Sequence, residues 1–122
     1  MKIQQALATI QKELKAPKGQ YNAFGKYAYR SCEDILTALK KLLEQTETVL
    51  ILNDEVVNIG SRYYVKATAT LSNGEETISA TAYAREEEIK KGMDGSQITG
   101  ASSSYARKYA LNGLFGIDDT KD

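Results

Sequence analysis

Arg107 and Lys108 stand side by side between Tyr105 and Tyr109, in a run over residues 95–117 that holds no acid and is rich in small and apolar side chains. Two cations between two phenol rings are the parts of a surface that neutralises phosphates and stacks on bases, and they contain no group suited to acid–base catalysis near neutral pH. The small-residue run reads as one helix, and successive helix positions point about 100° apart. The four side chains therefore cannot all line one surface. Two readings stay open: the pair meets a polyanion, or the tyrosines pack on a sheet while the cations are surface charges near a helix C-terminus, where the dipole favours them.

A second basic and aromatic set lies in residues 18–30, where Lys18, Tyr21, Lys26, Tyr27, Tyr29 and Arg30 interleave on a glycine-containing connector. Single-strand binders combine stacking rings with a cationic track in this way. The alternative is a loop whose tyrosines cover the edge of a core. A third set follows from the hairpin signal Asn73-Gly74, which suits a two-residue turn with positive φ at both positions. With Ser72 opposite Glu75, Val65 faces Ala82, Ala67 faces Ala80 and Ala69 faces Ile78, an apolar and shallow face. On the other face Arg62 opposes Arg85, Tyr64 opposes Tyr83 and Lys66 opposes Thr81, with Thr68 and Thr70 opposite Ser79 and Thr77. Directly opposed arginines repel unless an anion lies between them, which favours a ligand-facing surface. Glu55 is the competing partner for Lys66.

Catalytic readings are excluded one by one. Histidine is absent, which removes the usual general base and the usual nitrogen ligand for zinc. Cys32 is the only cysteine, so neither an intrachain disulfide nor a thiolate cluster is available, and a reducing, cytoplasmic setting is expected. The glycines at 92, 95 and 100 lack the Gly-Lys-Ser/Thr ending of a phosphate loop. No Ser-x-x-Lys spacing leads to Lys108, since position 105 is Tyr. Asp118, Asp119 and Asp122 are acids of the kind that are usually solvated. The chain is expected to need no cofactor and to be no enzyme; a nuclease using Asp118 and Asp119 is the weakest alternative. No segment approaches membrane-spanning length.

Net charge is zero, with 16 basic and 16 acidic residues, but the charge is segregated. Residues 1–41 hold eight Lys/Arg against three acids, and residues 42–61 hold four acids and no base. Such blocks can fold into a basic and an acidic face, suited to a polyanion groove or to charge-matched subunit contacts.

The elements that must position these sets are legible from periodicity. Ile3, Leu7, Ile10 and Leu14 predict an amphipathic helix over 2–15, ending before Pro17. Ser31 and Asp34 resemble a capping pair opening a second helix from about Cys32 to Glu44, burying Ile35, Leu39 and Leu42 or Leu43. From Thr48 the period changes to that of strands: one over 49–59, with a possible interruption at Asn53-Asp54, a turn at Gly60-Ser61, then 62–72 and the strand after Asn73-Gly74. The 86–94 segment reads as a charged loop, and a helix over 95–112 returns to the alanine-lined sheet face. The expected fold class is α+β: two N-terminal helices, a three-stranded antiparallel meander, and a C-terminal helix packed on one sheet face, in a single domain over 1–122.

Two blocks carry a family resemblance. Phe24-Gly-Lys-Tyr-Ala-Tyr-Arg-Ser-Cys-Glu-Asp-Ile-Leu36 and, more specifically, Gln97-Ile-Thr-Gly-Ala-Ser-Ser-Ser-Tyr-Ala-Arg-Lys-Tyr-Ala-Leu-Asn-Gly-Leu-Phe-Gly-Ile-Asp-Asp119 resemble the Erf family of phage single-strand annealing proteins. The resemblance covers roughly residues 20–119. It implies an ATP-independent recombinase that binds single-stranded DNA, assembles as a homo-oligomer in rings or filaments, pairs complementary strands, and has a host or phage single-strand binding protein as a possible partner. It implies a core similar to that of the eukaryotic ring-forming annealing proteins, and makes Arg107 and Lys108 the first DNA-contact candidates. Family members usually continue past the Gly-Ile-Asp-Asp block into a variable tail. The candidate DNA-binding residues are then Arg107, Lys108, Lys66, Arg62, Arg85, Lys26 and Arg30 for phosphates, with Tyr27, Tyr29, Tyr64 and Tyr83 for stacking. The competing reading is a protein-interaction or assembly domain of a replication or recombination complex that does not touch DNA.

Overall fold

Helical periodicity near the N-terminus becomes α1 (Ile3–Glu13), which buries Ile3, Ala6 and Ile10 on one stripe. The computed structural model describes residues 1–86 and 95–117, the side chains of 95–99 excepted. Asp118, Asp119, Asp122 and the charged loop from residue 87 onward lie outside the described residues. Among the described residues no helix is long and apolar enough to cross a membrane, and no cluster of three or more His, Cys, Asp or Glu could hold a metal ion.

The connector after α1 is more ordered than its lack of periodicity suggests. It forms a small hairpin of β1 (Gln20–Asn22) and β2 (Tyr27–Tyr29), with Gln20 opposite Tyr29 and Asn22 opposite Tyr27. Strands of three residues are too short for alternation to reveal them. The turn explains itself chemically instead: Gly25 N–H donates to Asn22 Oδ1 at 2.9 Å, and Lys26 closes the loop with φ +56°, in the left-handed region. The expectation of two helices in direct succession misses this two-stranded sheet.

Ser31 then caps α2 (Cys32–Gln45) as its spacing predicts. Its hydroxyl accepts from Asp34 N–H at 3.1 Å, and Asp34 Oδ2 accepts from Ser31 N–H at 2.8 Å. Gln20 Nε2 donates to the same carboxylate at 2.9 Å, so the cap also anchors the hairpin. Accepting from Ser31 N–H, and then from Gln20, holds the Asp34 carboxyl below its ordinary pKa.

The meander is β3 (Val49–Ile59), β4 (Arg62–Ser72) and β5 (Thr77–Arg85), antiparallel in that order. β3 runs through Asn53-Asp54 without interruption, and Gly60, at φ +64°, makes the tight turn into β4. The β4–β5 register departs from expectation. Ser72 pairs with Thr77 rather than facing Glu75, so the loop has four residues. Asn73 is the cause: its Oδ1 accepts from Glu75 N–H at 3.0 Å and Glu76 N–H at 2.7 Å, closing a wider turn than a two-residue hairpin. Ala67 therefore pairs with Ala82, Ala69 with Ala80, Lys66 with Tyr83 and Tyr64 with Arg85. The shift is of two residues, so every side chain keeps its face and only its neighbour changes. Arg62 pairs with Ile59 across the other turn and does not oppose Arg85, which removes the argument from arginine repulsion.

α3 (Gly95–Phe115) lies across β4 and β5, three residues longer than its periodicity suggests. Ala106, Ala110, Leu111, Leu114 and Phe115 are buried with Val65, Ala67, Ala69 and Leu71 of β4 and with Ile10, Ile35 and Leu39 of the other helices. The alanine stripe lets the helix approach closely. Burying Leu111 or Phe115 contributes about 1.5–3 kcal/mol each. Gln11 Nε2 donates to Leu114 O at 2.9 Å, tying α1 to the end of α3.

Candidate nucleic-acid interface

The neighbouring cations of α3 go to different places. Arg107 turns onto the sheet, where its Nε donates to Asp54 Oδ1 at 2.9 Å and Oδ2 at 3.0 Å and an Nη lies 2.9 Å from Oδ2. Ser103, one turn earlier, donates its hydroxyl to the same carboxylate. Asp54 stands opposite Ala67 on the face of β3 that looks toward α3, so the cluster pins the helix to an edge strand. Partial burial pulls the Asp54 carboxyl upward, but the hydrogen bonds from Arg107 and Ser103 and the guanidinium charge outweigh it, leaving it below its ordinary pKa. Arg107 is correspondingly raised, first by its hydrogen bonds to Asp54.

Lys108, 100° around the helix, faces the hairpin instead. It lines a cavity of about 240 Å³ together with Tyr27 and Tyr29 of β2, Asn22 of β1, and Ser104 and Tyr105 of α3. The start of α2 closes the floor. Alternation puts Gln20, Asn22, Tyr27 and Tyr29 on one face of the hairpin, and the last two hold their rings 6.0 Å apart at 58°. Tyr29 OH donates to Gln20 Oε1 at 3.2 Å and Tyr27 OH accepts from Asn22 Nδ2 at 3.1 Å, which fixes both ring planes. Across the cavity Tyr105 stacks on Tyr109, centroids 6.4 Å apart and planes 22° from parallel. These two residues are 52% and 46% exposed, so the reading in which they pack on the sheet fails: Ala106 and Ala110, the residues that follow them, take that place.

Other candidates divide by location. Lys26 is exposed at the hairpin turn, beside Phe24, whose ring is fully exposed. Arg30 is buried, its Nε donating to Ala16 O at 2.5 Å, and serves to fasten the chain after α1. Tyr64, Lys66, Tyr83, Arg85 and Arg62 lie on the sheet face opposite α3. There Lys66 Nζ sits 3.5 Å from Glu55, the competing pairing anticipated for it, and Thr70 and Ser79 share a hydrogen bond of 2.9 Å. The structure thus gathers Tyr27, Tyr29, Arg30 and Lys108 around one cavity and Tyr64, Lys66, Tyr83 and Arg85 at another site, on the far side of the sheet.

Sequence reasoning missed Asp54 and Ser103 as partners of Arg107, Phe24 as an exposed ring, and Asn22 and Ser104 as cavity polar groups. The turn signal Asn22-Ala-Phe-Gly25 could have placed Phe24 at a hairpin tip. Nothing local marks Asp54, whose partner lies 53 residues away in the chain.

A profile described as the ERF superfamily matches residues 3–122. Over 116 residues the chain is 67% identical to the essential recombination function protein of Salmonella phage P22, a match covering 95% of this chain and 56% of that protein. The chain thus spans a little over half the length of that relative. No solved structure matches.

Proposed function

The chain belongs to the ERF superfamily, and on that premise we propose that it binds single-stranded DNA without sequence preference and, as a homo-oligomer, anneals complementary strands in phage-type homologous recombination. The observation that carries this reading is the site where Lys108 meets Tyr27, Tyr29 and Tyr105 in one cavity. A cation supplies sequence-independent attraction to the backbone, and rings supply stacking that every base can satisfy. Lys26 and the exposed ring of Phe24 extend the same surface along the hairpin.

No covalent step is required of the protein. Strands held extended by their phosphates present base edges to a complement, and duplex formation supplies the driving force without ATP. The protein acts in the cytoplasm of a bacterial host, in keeping with the phage origin of its relative. Arg107 holds the helix that carries Lys108 in place through Asp54, and the outer-face set of Arg62, Tyr64, Lys66, Tyr83 and Arg85 is a second contact surface. Self-assembly finds support in the edge strand β3, where Val49, Ile51, Val56 and Ile59 are each more than half exposed. The same strand favours the second reading, an assembly domain that does not touch DNA.

Fluorescence anisotropy with a labelled oligo-dT strand separates the two. The expected result is saturable, ATP-independent binding whose log affinity falls with log salt by roughly 0.7 for each phosphate contacted. Absence of saturable binding at low salt would leave the assembly reading standing.

A further inference from the structure

The cavity between the hairpin and α3 is smaller than the roughly 300–1,000 Å³ of drug-sized ligand sites. At about 240 Å³ it has room for one flat ring system and not for a run of stacked bases. Resting on the single-strand binding proposed above, we infer that this cavity takes one unstacked nucleotide of the bound strand, its base lodged among Tyr27, Tyr29 and Tyr105 and its phosphate on Lys108.

Three features of the site support this assignment. The rings are set before any ligand arrives: Tyr27 and Tyr29 by their hydroxyl hydrogen bonds to Asn22 and Gln20, Tyr105 by its stack on Tyr109. Little side-chain freedom is then lost on binding. Gly25 belongs to the same arrangement, because a Cβ there would overlap the Tyr27 ring. Next, the phosphate has a natural seat in Lys108, since Arg30, the other cation lining the cavity, is buried and its Nε donates to Ala16 O. At the N-terminus of α2, on the cavity floor, Ser31 already takes the Asp34 N–H and the Asp34 carboxylate repels anions. Arg107 is committed to Asp54. Lys108, one turn after Tyr105, has no ion pair among the described residues and lines the cavity. Finally, Asn22 and Ser104 offer both donors and acceptors at the rim, so either edge pattern of a base can be met and no sequence preference results.

The consequence for annealing is specific. One base per subunit is withdrawn from pairing, so a complement must nucleate on the bases between cavities.

The test compares an oligo-dT strand with one of equal length carrying abasic sugar-phosphate units, both titrated by anisotropy against the full chain. Wild-type protein is expected to prefer the intact strand by roughly 5- to 150-fold, the range for losing one stacked base. Tyr105→Leu, at an exposed position, is expected to collapse that preference while keeping the salt slope. Lys108→Gln is expected to keep the preference and lower the salt slope by about 0.7, one phosphate's worth. Should circular dichroism show Tyr105→Leu unfolded, Tyr27→Leu gives the same readout from the opposite wall. Equal wild-type affinity for both strands, with a steep salt slope, overturns the cavity assignment and leaves strand binding intact. No binding of either strand overturns both.

Discussion

Arg107→Ala is expected to damage folding more than DNA binding. The substitution leaves Asp54, whose side chain is 22% exposed, on the sheet beneath α3 with Ser103 as its one side-chain hydrogen-bonding partner among the described residues. Stranding a fully buried charge costs about 3–5 kcal/mol, whereas breaking an exposed pair costs about 0–1. The Arg107 side chain is 39% exposed, so solvent screens the pair and the expected loss lies between those limits, at about 2 kcal/mol. Asp54→Asn should cost less, about 1 kcal/mol, because the released guanidinium can reach water and the amide still accepts a hydrogen bond. Urea unfolding followed by circular dichroism reads both values. The pH dependence provides an internal check. The folded Asp54 carboxyl titrates below its unfolded counterpart, so its contribution is present above about pH 4 and is lost as pH falls through the lower folded value. Asp54→Asn should remove that part of the acid sensitivity. The double replacement Asp54→Asn/Arg107→Ala should cost less than the sum of the singles, as expected of groups in contact. The reasoning is refuted if Arg107→Ala leaves the urea midpoint unchanged and instead lowers the salt slope of strand binding by one phosphate's worth.

Gly25→Ala should change the unfolding free energy by no more than about 0.5 kcal/mol, since the hairpin tip is exposed, yet weaken strand binding because the Tyr27 ring must move; anisotropy against oligo-dT measures it. Ser31→Ala removes the acceptor for Asp34 N–H and should lower stability by about 1 kcal/mol in urea unfolding. Cys32 is buried, and burial, followed by the nearby Glu33 charge, pushes its thiol pKa up, so alkylation by iodoacetamide at pH 7 should be slow until denaturant opens the protein.

Much of the fold was legible because its signals are local. Ser31 and Asp34 announce the start of α2 by a reciprocal pair of hydrogen bonds three residues apart, and Ile3, Ala6 and Ile10 mark the buried stripe of α1. The meander could be read from strand periodicity, and a register error of two residues did no harm to the sorting of faces, since side chains alternate with period two. What failed was the identity of the facing pairs. Asn73-Gly74 carries the signature of a two-residue turn, but the Asn73 side chain caps two amides and widens the loop, an outcome that depends on which donors Glu75 and Glu76 present.

The site shows where local reading stops. Helical geometry requires that Arg107 and Lys108 diverge by about 100°, so at most one of them could share a face with Tyr105 and Tyr109. Spacing already selects Lys108, three residues after Tyr105 on the same side of the helix, and puts Arg107 on the other side; what local reading cannot supply is where each side leads, to Asp54 of β3 for Arg107 and to the hairpin for Lys108. The hairpin itself is visible only as a turn with aromatic flanks, because strands of three residues are too short for alternation. A cation becomes a candidate phosphate contact here by exclusion: the fold satisfies the neighbouring guanidinium internally and leaves the ammonium facing three rings held by their own hydrogen bonds and stacking.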